Sequence, residues 1–238
     1  MAASVRLLLL SNSTNPGEPY LGWPEAHLRS FLAGSRRVFF VPFAGVRIHW
    51  DDYASKVRDR FAAVGAEVVS AHEVKSPLEE LARADAVAVG GGNTFHLLRH
   101  LRETGLGKAI AERAAAGMPY VGWSAGANVA CPSIRTTNDM PIVETGGLSA
   151  LGLVPFQINP HYTDATLPGH GGETREERIL EFLEANPGVV VVGLRESSLL
   201  RREGSSLVLL GDRPARIFRK GEDPAEVPPG SSLDGLLG

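Results

Sequence analysis

The stretch VGWSAGANVA, residues 121–130, decides how this sequence is read. An apolar run, MPYVGW, leads into Ser124, and a small-residue segment, GANVAC, leads away from it. That is the signature of a strand that turns sharply and continues as a helix. Gly122-Trp123-Ser124-Ala125-Gly126 fits G-x-S-x-G, in which strained backbone with small neighbours lifts a serine hydroxyl above the edge of a sheet. The amide of Ala125 then faces the same space, at the positive end of the following helix, and is a candidate oxyanion donor. The alternative is an inert turn. The strand before and the helix after favour a nucleophile.

Working outward, apolar runs recur on both sides of this turn. VRLLLLS (5–11), RVFFVPF (37–43), AEVVSA (66–71), AVAVGG (86–91), YVGWS (120–124) and VVVVGL (189–194) read as strands buried on both faces. Helical patterns separate them, at 23–34, 50–65, 76–84, 94–104, 107–117 and 173–186. Alternation of this kind predicts an α/β fold, with a doubly wound, mostly parallel sheet flanked by helices. SSLVLLG (205–211) and ARIFRKG (215–221) predict a small C-terminal antiparallel extension or hairpin, followed by a loose Pro- and Gly-rich tail. The 238 residues are expected to form a single domain. A net charge of −3 leaves no nucleic-acid footprint, and no apolar stretch has the length that spans a membrane. The lone cysteine, Cys131, fits a reducing compartment, so a cytoplasmic location is expected.

A serine nucleophile needs a base and an acid to orient it. Of seven histidines, His27, His49, His72, His96 and His100 sit in or beside helical patterns and read as solvated or as core fillers. His161, in QINPHYT, follows an apolar run at the strand-end edge where open α/β sheets gather their sites, and is the preferred base. His170, in PGHGGE, is a candidate substrate contact. Two acids compete to orient the imidazole. Glu196 follows a buried strand and is favoured; Asp139, in TTNDMP, would then hold a substrate amine or support the histidine from behind. Gly90-Gly91-Gly92 ends a strand and opens a helix, but fits neither dinucleotide nor P-loop patterns. It reads as a tight loop that sets the Gly92 amide against the same oxyanion as Ala125. Asn93 is either a helix cap or an acceptor for the substrate amine. No metal-ligand spacing is present and no cofactor is called for.

Several longer segments resemble a known family. GWSAGANVACPSIRTTNDMPIV, QINPHYT and GHGGETREERI, with SNSTNPGEPYL, VPFAGV and GGGNTFHLL, are similar to peptidase E, the α-aspartyl dipeptidases. The resemblance covers nearly the whole chain except roughly the last 20 residues. It implies a serine peptidase on a class I glutamine amidotransferase-like, flavodoxin-like scaffold that hydrolyses dipeptides with N-terminal aspartate. It places the nucleophile on Ser124 and the base on His161, and gives counterparts to both Glu196 and Asp139 without choosing between them. An aspartyl carboxylate buried without a partner is costly, so a cation should meet it, and arginine fits best. Arg175, in GETREER, is the first choice and Arg135, in SIRTTND, the second. A homodimer is plausible, with a partner shielding the polar stretch 131–172. The rival readings are a cyanophycinase-like or isoaspartyl exopeptidase on the same scaffold, and a binding protein of this fold without chemistry.

Overall fold

The computed structural model describes residues 4–166, 169 and 171–238. The chain runs β1 (Arg6–Leu10), α1 (Glu25–Phe31), β2 (Arg37–Val41), α2 (Trp50–Ala63), β3 (Glu67–Ser70), α3 (Pro77–Arg83) and β4 (Ala86–Val89). It continues through α4 (Thr94–Glu103), α5 (Leu106–Ala115), β5 (Tyr120–Trp123) and the short α6 (Ala125–Asn128). After a long irregular segment come β6 (Gln157–Tyr162), α7 (Arg175–Ala185), β7 (Val191–Arg195), β8 (Ser198–Glu203), β9 (Ser206–Gly211), β10 (Ala215–Phe218) and β11 (Ala225–Val227).

The main sheet has seven strands in the order β3-β2-β4-β5-β1-β8-β9. Its first five strands are parallel; β8 and β9 add as an antiparallel edge. Both faces of the central strands are covered, which is why Leu7–Leu10, Val38–Val41 and Ala86–Val89 run apolar rather than alternating. Leu7 and Leu9 pack with Leu97, Leu101 and Ile110 on one side, while Leu8 and Leu10 pack with Phe31, Val57 and Phe61 on the other. The fold is α/β with a mostly parallel sheet between layers of helices.

Three expectations are corrected in whole or in part. VVVVGL does not join the main sheet: β7 lies in a second sheet, ordered β11-β10-β7-β6, in which β6 and β7 are parallel. The segments 205–211 and 215–221 are antiparallel strands as expected, but they do not form a hairpin with each other. β9 pairs with β8 in the main sheet, and β10 pairs with β7 and β11 in the second. An apolar run records burial but not its neighbour. The tail is also not loose. β11 extends the second sheet, Leu233 is buried, and Asp234 Oδ1 accepts a 2.6 Å hydrogen bond from the Leu207 amide. Among the described residues no helix is long and apolar enough to cross a membrane.

Candidate active site

Ser124 stands between β5 and α6 with φ 53° and ψ −112°, a conformation that side chains avoid. Such strain costs about 1–3 kcal/mol and persists only when the surroundings over-determine it. Here they do. The Ser124 amide donates to Leu10 O at 3.0 Å, which extends the parallel ladder past the end of β5, and its carbonyl accepts from the Ala127 and Asn128 amides. The flanking glycines are required by contact: a Cβ on Gly122 would run into Gly126 O, and one on Gly126 into Val89 O. Trp123, buried beneath, stacks on Phe40 and donates to Tyr53 Oη at 3.1 Å. Tyr53 Oη in turn donates to Gly91 O at 3.0 Å; burial pushes this phenol up to about 12, so it stays a protonated donor.

His161 sits at an irregularity in β6, where the register with β7 shifts between Pro160 and Tyr162, and it too has φ 53°. Its amide donates at 2.8 Å to the hydroxyl of Ser11, which donates at 2.7 Å to Leu194 O. The imidazole reaches two groups. Nε2 lies 2.9 Å from Ser124 Oγ, and Nδ1 lies 2.7 Å from Glu196 Oε1. A carboxylate only accepts, so Nδ1 carries the hydrogen and Nε2 is left to accept from the serine hydroxyl. A hydrogen-bonded pair this exposed contributes little to stability, at most about 1 kcal/mol. Its consequence is orientation of the ring. Glu196 directly follows β7, and the next residue, Ser197, has φ 65° and donates its amide to the buried Asn12 Oδ1 at 2.9 Å.

The groups around the hydroxyl suit an anion. Ala125 is the first residue of α6, so its amide has no partner within the helix. The Gly91 and Gly92 amides are likewise unpaired among the described residues, and both glycines line the cleft beside Ser124. Gly92 has φ 139°, and a Cβ there would strike Ala44 O, so only glycine brings this loop close.

Of the remaining candidates among the described residues, only Asn93 lines the Ser124 cleft. Asp139 does not touch His161. Its Oδ2 accepts from the Thr94 amide at 2.7 Å, Thr94 Oγ1 at 2.6 Å and Thr137 Oγ1 at 3.0 Å, satisfying an otherwise orphaned donor at the start of α4. Asn93 caps the same helix through Oδ1, and its Nδ2 donates to Met140 O. Arg175 does not line the Ser124 cleft. With Asp139, Asn138 and Asn159 it lines a separate polar cavity of about 180 Å³. That cavity's wall is tied to the histidine's strand, because Asn138 Nδ2 donates to Pro160 O at 2.7 Å. Burial lowers the Arg175 pKa, as does Arg178, against the pull of Asp139. Arg135 lines the same cavity and donates to Asn186 Oδ1. His170 lies outside the described residues. Cys131 is fully buried, and its thiol is pushed up to about 12 by desolvation, so it is not a competing nucleophile.

The sequence reading missed Ser11 and Asn12. The signal was there: two polar residues follow a run of four leucines, and both prove buried. Away from the serine, Asp51, His72 and Glu73 bring donor atoms within 4.8 Å of one another. His72 is already engaged by Ser70 and Asp51, and Glu73 by Arg58.

An α/β sheet with a strained serine at its rim, hydrogen-bonded to a histidine and through it to a carboxylate, has the layout of a hydrolase. Residues 7–210 match the model of peptidase family S51. The chain is 50% identical over 235 residues to a protein named Peptidase E from Nostoc sp., covering 98% of this chain and 97% of that one. It is 53% identical over 235 residues to Peptidase E from Streptomyces coelicolor, covering 98% and 95%. A crystal structure of a peptidase from an acI-B1 actinobacterium shares the fold, with a TM-score of 0.72 at 18% identity over 98% of this chain and 97% of that one. The chain belongs to peptidase family S51.

Proposed function

We propose that this chain is a serine-type dipeptidase that hydrolyses dipeptides with an N-terminal aspartate. The observation that carries the chemistry is the unbroken line from Glu196 through His161 to Ser124, with contacts of 2.7 and 2.9 Å. His161 Nε2 takes the Ser124 proton as Oγ attacks the aspartyl carbonyl. Glu196 keeps Nδ1–H in place and stabilises the imidazolium. The Ala125 and Gly92 amides receive the oxyanion, with Gly91 beside them. His161 then protonates the leaving amine and activates the water that releases aspartate.

The aspartate preference is supported by the resemblance to peptidase E, by relatives of that name, and by Arg175 in a cavity adjoining the histidine's strand. In this reading Arg175 takes the aspartyl carboxylate. Asp139, a neighbour in the same cavity, serves the α-amine through the oxygen not committed to Thr94.

Hydrolysis of Asp-Leu, β-Asp-Leu and Leu-Leu tests the proposal. The expected result is turnover of Asp-Leu at least about a hundredfold above the other two, since an unpaired buried charge costs several kcal/mol. Equal cleavage of Leu-Leu would remove the aspartate preference, and faster cleavage of β-Asp-Leu would favour the isoaspartyl reading.

A further inference from the structure

The cleft beside Ser124 has a volume of about 820 Å³ and holds Lys56 and Arg47 in its lining. Among the described residues neither cation makes a hydrogen bond or ion pair, and no acid lines the cleft. A pocket with two unpaired cations and no acid, on a chain of net charge −3, concentrates positive potential where the nucleophile lies. Nothing in the acyl-transfer steps uses these charges. We propose that Lys56 and Arg47 receive the free α-carboxylate of the leaving residue, which makes a dipeptide the preferred substrate. This inference rests on the peptidase reading of Ser124.

The apportionment follows from size and position. An aspartyl dipeptide carries two carboxylates, one on the acyl side and one on the leaving side. The Arg175 cavity, at about 180 Å³, is far smaller than the cleft and holds Arg175 and Asp139, the two groups assigned to the aspartyl residue. The larger cleft has room for a second residue, and its apolar wall of Val46, Ile48 and Ile142 suits a leaving side chain. Val46 and Ile142 are each 50% exposed, so that wall has nothing packed over it. Lys56 is also well placed. It follows Tyr53 by one turn of α2, a rise of about 4.5 Å, and Tyr53 is fixed to Gly91 O and to the indole of Trp123. The helix therefore anchors the backbone of the exposed Lys56 one turn from the residue tied to the oxyanion loop. Arg47 approaches from the loop that precedes α2.

The test compares Asp-Leu with Asp-Leu-amide and with Asn-Leu. In the unaltered chain kcat/KM for the free acid should exceed that for the amide by about tenfold or more, the usual strength of a charged hydrogen bond. In Lys56→Met/Arg47→Met the ratio should fall to within about twofold, through loss on the free acid, while Asp-Leu remains preferred over Asn-Leu. Lys56→Arg should keep the acid-over-amide ratio, which separates a charge effect from a folding defect. Equal cleavage of acid and amide by the unaltered chain overturns the inference but leaves the peptidase reading standing. Loss of the aspartate preference in the double variant also overturns it, because the two cations would then hold the aspartyl side chain. Failure to cleave any aspartyl peptide removes both.

Discussion

Ser124 and His161 share a backbone conformation, φ 53°, but the fold enforces it in different ways. The serine is gripped locally. β5 leads in, α6 leads out, and the glycines on either side leave no space for another geometry. The histidine is gripped from a distance, by the hydroxyl of Ser11 at the end of β1, a residue 150 positions away. Local strain is written in a motif. Strain enforced at long range is not, because it depends on the end of a strand in one sheet meeting a strand of the other. Both are expensive: at about 1–3 kcal/mol each, the two residues consume a sizeable part of a typical net stability of about 5–15 kcal/mol.

Breaking the serine's side of this comparison should have the largest effect. Ser124→Ala should lower kcat/KM for Asp-Leu by at least about 10⁴-fold without unfolding the chain. Ser124→Gly should lose as much activity yet raise stability by about 1 kcal/mol in urea titration, since glycine accepts the positive φ. A drop in stability would show that the serine's conformation is not strained. Next comes the acid. Glu196→Gln should cost roughly 10³-fold in kcat with little change in Tm, because the pair is exposed and orients rather than stabilises.

The long-range side gives a smaller and mixed result. Ser11→Ala removes both the acceptor for the His161 amide and the donor to Leu194 O. Leaving those buried groups unpaired should cost about 1–3 kcal/mol of stability, and the relaxed histidine should lower kcat by about tenfold to a hundredfold with KM changed less. Smallest in kcat is Asp139→Ala, which should destabilise by about 1–2 kcal/mol through loss of its bond to the first amide of α4 and should raise KM through loss of the acceptor proposed for the α-amine. Its effect on turnover should stay below that of Glu196→Gln. The reverse order would make Asp139 the acid that serves the histidine.

This contrast also explains what could be read from the sequence. The central parallel strands were legible because they are apolar on both faces, as Leu7–Leu10 illustrates. The turn at Ser124 was legible because its glycines are contact requirements. Ser124 and Glu196, picked out with His161 as strand-end residues, are each brought within hydrogen-bond distance of its imidazole. The assignment of β7 to the main sheet failed because Val191–Leu194 records burial, not partner. The tail was misread because Pro and Gly hid Leu233 and Asp234, which pin it to β9. Ser11 and Asn12 were missed as supports because a short polar segment after a strand reads as an ordinary turn. Arg47 and Lys56 were missed because an exposed cation on a loop or a helix looks the same whether it faces solvent or a catalytic cleft.

The most direct measurement is the intact mass of the chain after exposure to a phosphonate probe, with the modified residue located by peptide mapping. A single adduct on Ser124, absent in Ser124→Ala and strongly slowed in His161→Gln, is expected from a serine activated by the neighbouring imidazole. No adduct, or equal labelling of serines elsewhere on the surface, would contradict it.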